Sequence, residues 1–337
     1  MNTVNNFIGV DVSKKTLDVC LLDATGQVLN RSSIENEQKA IAVFFGNLEQ
    51  GHDMALCRSL VCLEHTGIYS NLLLEFLSAR QASICLEMSL QIKRSQGIQR
   101  GKSDRTDALR IAQYAQANQQ KVRLWAPARK EVQQLKALMV LRDRLIRILN
   151  QLQVPLKESE GFTDASIQKI LKASCRASLA AVEKDLKRVD MKINNLIQQD
   201  DKLNVQFNLL TSVTGIGKVI ATNMIVCTNE FKSITQAKKF ACYAGVAPFE
   251  HTSGTSIKGR PRVSKLANME MKKILYLGAT SAIQYSDEIK AYFERKVREG
   301  KKPMSVINAV GNKLISRAFA CIKYNRPYEK IYKHTLA

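Results

Sequence analysis

A chain of 337 residues with 51 Lys and Arg against 30 Asp and Glu carries a formal charge of +21. That balance suits a polyanionic partner, most simply nucleic acid and less often an anionic membrane surface. No apolar run approaches the roughly 20 residues that a bilayer span requires, and MNTVNNFIGVDVSKK has neither the basic start nor the apolar core of a signal peptide, so a cytoplasmic protein is expected.

The first elements alternate in type. FIGVDVS and TLDVCLLDATG are short apolar strands, the second closed by a turn signal, and QVLNRSSI makes a third, so the three form a meander. EQKAIAVFFGNLEQG has helical spacing, SLVCLEHTG reads as a buried strand, YSNLLLEFLSAR as a helix and ASICLEM as a further strand. Three strands, then helix, strand, helix, strand is the order of an RNase H-like mixed sheet flanked by helices. The eight cysteines show no C-x-x-C pair and no histidine at ligand spacing. Cys20, Cys62 and Cys85 fall inside strands and read as reduced core thiols.

After Pro127 the period changes to alternating threes and fours, at Leu138, Leu141, Leu145, Ile148 and Leu152 and again from Leu179 to Leu196. Two long helices are expected, interrupted between them at Pro155 and Gly161. A hairpin within one chain and a contact between chains both satisfy this pattern. From residue 203 onward the segments read as mainly helical. LLTSVTGIGKVIATNMI sets Gly215, Gly217 and Lys218 between two apolar helical stretches, like a helix-hairpin-helix whose glycines admit a nucleic-acid phosphate. A plain glycine turn between packed helices reads equally well. The chain thus divides into residues 1–127, a helical connector at 128–202 and a C-terminal region at 203–337.

The chemistry lies in a few acids set against this basic background. GKSDRTDALRIA places Asp104 and Asp107 three apart, on one face of a helix, with Lys102 and Arg105 beside them as candidate phosphate contacts. Helix capping accounts for Asp104. It accounts less well for Asp107, a turn further in. Asp11 interrupts the first strand and Glu64 ends the fourth. In an RNase H-like order those strands are neighbours, and a later helix can close over both, so the four carboxylates would converge. Such a cluster needs compensating charge, which hard divalent cations supply; two Mg²⁺ ions could clamp a phosphodiester. Further on, HTSGTSIKGRPRVSK combines Ser253 and Ser256 with Lys258, Arg260, Arg262 and Lys265. Beside phosphate-binding cations a serine could attack a phosphate, while a turn-rich loop explains the same residues.

Taken in order, GVDVSKKTLDV, EHTGIY, KSDRTDA, VTGIG, FACYAGVAP and SGTSIKG resemble the DEDD transposases of bacterial insertion sequences, a family that includes Piv-type DNA invertases and bridge-RNA-guided recombinases. His65 stands where that pattern has a small residue. The resemblance implies a RuvC-like N-terminal domain, a coiled-coil connector and a C-terminal transposase domain. It implies that Asp11, Glu64, Asp104 and Asp107 bind Mg²⁺ and that Ser253 is the nucleophile of a covalent protein–DNA intermediate. The implied partners are double-stranded target and donor DNA, a noncoding bridge RNA, and other copies of the chain, as a dimer or, with DNA paired, a tetramer. No membrane is involved, and a bacterial, nucleoid-associated location follows. Two alternatives from other classes are a Holliday-junction-type Mg²⁺ nuclease that uses water, and a non-catalytic nucleic-acid-binding protein.

Overall fold

The computed structural model describes residues 4–52, 54–95, 97, 104–253, 257–264 and 266–329. The chain forms two compact units, Met1–Pro127 and Ala128–Ala337.

The first unit is built on a five-stranded sheet. The strands are β1 (Asn6–Val12), β2 (Thr16–Leu22) and β3 (Val28–Glu35), then, after helix α1 (Gln38–Gly51), β4 (Ser59–Glu64), and after helix α2 (Asn71–Ala79), β5 (Ser83–Glu87). Their order is β3-β2-β1-β4-β5. The first three strands form the expected antiparallel meander, while β4 pairs parallel to β1 and β5 parallel to β4. Short helix α3 (Ser89–Ser95) and the longer α4 (Asp104–Asn118) follow. Edge strand β5 does not end bare: Trp125 N–H donates to the Ile84 carbonyl at 2.7 Å, and Leu124 bridges to Cys85. That covers a row of backbone groups otherwise open to pairing with another chain.

Strand alternation sends the side chains to two faces, and the two faces are packed differently. On one, Ile8, Val10, Val12, Leu17, Val19 and Leu21 meet Ile41 and Phe45 of α1 and Leu73 and Leu77 of α2. Each such buried side chain contributes about 1.5–3 kcal/mol. On the other, Phe7, Cys20, Leu60, Cys62 and Cys85 meet Ala108, Ile111, Ala112 and Ala115 of α4. Small residues on both sides let this helix lie close. At Gly9 an added Cβ would stand 2.2 Å from the Ala108 carbonyl oxygen and 2.2 Å from the Ala112 nitrogen. The helix backbone therefore rests directly on β1.

Among the described residues the second unit is helical apart from one hairpin. It opens with α5 (Lys130–Glu158) and α6 (Ala165–Gln199), which pack side by side within the chain. Pro155 does not end α5 as its chemistry suggests; the helix runs three residues beyond it. Proline lacks an N–H and its ring crowds the carbonyl of Gln151, so α5 passes through Pro155 without that one backbone bond. Gly161, at φ +83°, makes the turn. Buried residues cluster at the base of the pair, where Val132, Leu135 and Met139 meet Val189, Ile193 and Ile197, and Arg142 Nε donates to Asp190 at 2.7 Å. At the tip Gln168 is buried, donating to the Leu156 carbonyl and accepting from Ser159.

Helices α7 (Asp201–Thr211), α8 (Lys218–Cys227) and α9 (Ala237–Tyr243) come next, then strands β6 (Phe249–Ser253) and β7 (Ile257–Arg262), then α10 (Met269–Tyr285), α11 (Asp287–Arg298) and α12 (Pro303–Tyr324). Local signals set the ends: Asp200 caps α7 through Leu203 N–H, Asn268 caps α10 through Met271 N–H, and Pro303 opens α12. After α8 the backbone turns left-handed at Asn229, Glu230 and Phe231, with φ of 47°, 57° and 62°. Such conformations cost non-glycine residues about 1–3 kcal/mol each. An ion cluster holds the turn. Buried Glu230 receives Arg129 at 2.7 Å, Lys232 at 3.4 Å and Lys202 at 3.5 Å, and Arg129 also reaches Asp200 at 2.8 Å. The Arg129 hydrogen bond pulls the Asp200 carboxyl down to about 2. Burial would raise Glu230, but its bonds to Arg129 and the two lysines hold it below the usual range.

Candidate active site

The acids foreseen in the first unit fall at one end of the sheet. Gly9 pairs with Cys62 and Val10 with Leu63 along the parallel β1–β4 ladder, so Asp11 is level with Glu64 on the face covered by α4. Both are half-buried. Helix α4 begins at Asp104 and carries Asp107 one turn further on. The Asp104 and Arg105 side chains lie outside the described residues, as do Lys102, Lys265 and the Gly254–Ser256 segment. Asp107 is half-buried and accepts from Arg110 at 2.7 Å. Because α4 rests on Gly9, its first turns lie over the strand that bears Asp11.

Two further acids join this end, and neither stood out in the sequence. Asp18 on β2 lies directly across from Asp11, and Glu87 on β5 directly across from Glu64. Carboxylates at one level on the four central and edge strands therefore read Asp18, Asp11, Glu64, Glu87 across the sheet. Glu87 is held by Met88 N–H at 2.9 Å and by the Tyr114 hydroxyl of α4 at 3.2 Å. Burial, reinforced by the Glu87 carboxylate, pushes the Tyr114 hydroxyl above the ordinary phenol range, so it acts as a donor. The signal for Glu87 was present in ASICLEM, where an acid closes an apolar strand as Glu64 does in SLVCLE.

In the second unit Ser253 ends β6, its backbone paired with Ile257 at the start of β7. The serine region is thus a β-hairpin. Lys258, Arg260 and Arg262 belong to β7, with side chains outside the described set. The two glycines of the GIG turn differ. Gly215, at φ +95°, packs against α10: an added Cβ would stand 2.6 Å from the Gly278 carbonyl oxygen. Gly217 has open space around it and precedes α8, where Lys218 is exposed.

Residues 8–158 match the IS110 DEDD transposase family and residues 207–294 match the transposases of the IS116/IS110/IS902 family. The chain belongs to this transposase family. It is 27% identical over 329 residues to the pilin gene-inverting protein of Moraxella lacunata, spanning 96% of this chain and 98% of that protein. It is also 22% identical over 302 residues to the transposase for insertion sequence element IS1111A of Coxiella burnetii, spanning 82% and 78% of the two chains. A protein of insertion element IS110 from Streptomyces coelicolor is 28% identical over 160 residues, 48% of this chain and 38% of its own. Membership makes this IS110-family chain an enzyme, a DNA recombinase of the transposase and invertase class. Among the described residues no helix is long and apolar enough to cross a membrane.

A DEDD transposase uses divalent metal. Among the described residues of this transposase, no three His, Cys, Asp or Glu side chains stand close enough together to hold an ion. The donor chemistry nevertheless fits one. Asp11 and Glu64 offer carboxylate oxygens from neighbouring strands, of the kind hard divalent cations take. Asp107 accepts from Arg110 through Oδ1 alone.

Proposed function

We propose that this transposase cuts and rejoins DNA strands with Mg²⁺, in two ions per site, held by Asp11, Glu64, Asp104 and Asp107, and with Ser253 as nucleophile. The observation that carries the reading is the parallel pairing of β1 with β4, which brings Asp11 and Glu64 to one end of the sheet beneath the helix bearing Asp104 and Asp107. A bound cation supplies charge neutralisation for the attacked phosphate. The Ser253 oxygen forms a bond to phosphorus as a strand's P–O bond breaks; the serine proton passes to a base, and the displaced strand oxygen takes a proton from solvent and leaves as a hydroxyl. Attack by a second strand's hydroxyl on the serine phosphodiester reverses these roles and restores Ser253.

In this reading residues 1–127 form a RuvC-like catalytic domain, 128–202 a connector and 203–337 the serine-bearing transposase domain. Lys102, Arg105, Gly215, Gly217, Lys218, Lys258, Arg260, Arg262 and Lys265 contact nucleic acid. Gly215 contributes by shaping the turn, since its missing side chain admits α10. The substrates are double-stranded target and donor DNA, a noncoding bridge RNA pairs with them, and protomers assemble as dimers and, on paired DNA, tetramers in the bacterial nucleoid. The +21 charge supports nucleic-acid partners, whose phosphate contacts weaken with salt.

The test is a denaturing gel. Ser253→Ala should bind DNA and form no covalent protein–DNA adduct, while Ser256→Ala retains it. Adduct lost in Ser256→Ala but kept in Ser253→Ala would move the nucleophile. Cleavage by both variants that still requires the acids would make water the attacking group. Digesting the nucleic acid that copurifies, with RNase or DNase, tests the guide.

A further inference from the structure

The end of the sheet that bears Asp11 also bears two turns to which the strand-cutting chemistry gives no role. The first joins β1 to β2 through Lys14 and Lys15, both exposed, and neither ammonium meets an acid among the described residues. A two-residue hairpin loop normally turns through positive φ, and neither lysine adopts it. Side chains hold the loop instead. Ser13 Oγ accepts from Thr16 N–H at 3.0 Å, Ser13 N–H donates to the Thr16 carbonyl at 2.9 Å, and Asn36 N–H donates to the Lys15 carbonyl at 2.8 Å. The second turn, the 3₁₀ helix Gly67–Ser70, follows β4 and its terminal Glu64. One amide ties the two turns together: Asn36 Nδ2 donates to the Ser13 carbonyl and to the Tyr69 carbonyl, each at 2.9 Å.

The second turn sends apolar side chains outward. Ile68 is 75% exposed, Tyr69 41%, and Leu72, the fourth residue after Ile68, 41%. Among the described residues the Tyr69 ring meets no other ring and its hydroxyl makes no hydrogen bond. Single exposed apolar residues need no explanation, but three together beside a pair of unneutralised cations call for a partner. A nucleic-acid strand suits both groups. Lysines meet its phosphates, an aromatic face stacks on a base that has left its duplex, and an apolar wedge keeps that base out. We propose that Lys14, Lys15, Ile68 and Tyr69 form a platform for a DNA strand, with phosphates on the two lysines and one unpaired base on Tyr69. This rests on the reading of Asp11 and Glu64 as the place where the strand is cut, since each turn directly follows one of those acids in the chain. It adds that the strand is held there with a base unstacked, so that a regular duplex is the poorer ligand.

The experiment measures binding of the full-length chain in EDTA, by fluorescence anisotropy over a salt series. The probes are a DNA duplex with a short mismatched bubble and the same duplex fully paired. Wild type should bind the bubble more tightly. Tyr69→Ala should lose about tenfold on the bubble and much less on the paired duplex, and Tyr69→Phe should restore the difference. Lys14→Gln and Lys15→Gln should each reduce the slope of log affinity against log salt by about 0.7 to 1. The side chains are exposed, so the melting temperatures of these variants should match wild type. Equal binding of the two duplexes by wild type, or equal losses on both in Tyr69→Ala, would overturn the platform. So would a salt slope unchanged in both lysine variants. An RNA copy of the bubble that binds more tightly than the DNA, with the same dependence on Tyr69, would assign the platform to a guide and overturn the DNA assignment. These measurements need no metal, so they can fail while the cation reading stands; that reading fails separately if Asp11→Asn still cleaves DNA.

Discussion

Two groups of carboxylates keep opposite company in this molecule. In the second unit Asp200 and Glu230 surround Arg129, with Lys202 and Lys232 completing the neutralisation. In the first, Asp11 faces Asp18 and Glu64 faces Glu87, and among the described residues Asp18, Glu64 and Glu87 form no ion pair. The contrast separates Asp200 and Glu230, which meet cations within the fold, from Asp18, Glu64 and Glu87, which meet no described cation. Removing an acid of the first kind should harm the fold. Removing one of the second kind should harm chemistry and leave the fold as stable or more so.

The largest effect that can break this contrast is on catalysis. Glu64→Gln is expected to lower DNA cleavage by about a thousandfold, since a cation worth several kcal/mol to the transition state loses a ligand. Its metal-free melting temperature should not fall. A large drop in stability would put Glu64 with the structural acids. Arg129→Ala is the converse, expected to cost about 3 kcal/mol in denaturant unfolding by leaving Glu230 buried without its main partner.

The same cluster fixes a pH dependence. Asp200 is depressed to about 2 in the folded chain, so its contribution is complete above its ordinary value near 3.8. It is lost as the pH falls from there towards 2. Acid unfolding followed by circular dichroism should therefore fall in that window for wild type and begin at higher pH in Arg129→Ala.

Gly9→Ala should cost about 1–3 kcal/mol, because the new Cβ meets helix backbone that cannot move alone. It should also weaken metal stabilisation by lifting α4 from the strand bearing Asp11. Gly46→Ala in α1, where nothing lies within 4 Å, should instead gain about 0.5–1 kcal/mol. Smallest is Tyr114→Phe, which removes the hydroxyl bonded to Glu87 and should cost about 1 kcal/mol.

Much of the first unit was legible in the sequence because its signals are local. Strand alternation and turn residues gave the meander, and an acid closing an apolar strand marked Glu64. Asp18 was not legible, since an acid within TLDVCLL reads as an outward position until the register places it against Asp11. Nor was the role of Gly9, which depends on a helix about a hundred residues later. Arg129 and Glu230 are 101 positions apart, beyond any periodic pattern. Pro155 misled because a helix can carry a proline at the cost of one backbone hydrogen bond without ending there. At Ser253 the motif was clear, but the hairpin was hidden by glycine, serine and basic residues that equally describe a loop.

The paired helices also have leverage. Helix α6 is 35 residues long, a rod of about 52 Å at 1.5 Å per residue. Its apolar anchors, Val189, Ile193 and Ile197, lie within its last third, and at the far end buried Gln168 bonds to Leu156 and Ser159, at the close of α5. A rod anchored in this way is a lever. A tilt of roughly 10° there swings the tip through roughly 9 Å over that length, so a single methylene lost beneath Ile193 is magnified where Phe162 stands almost fully exposed.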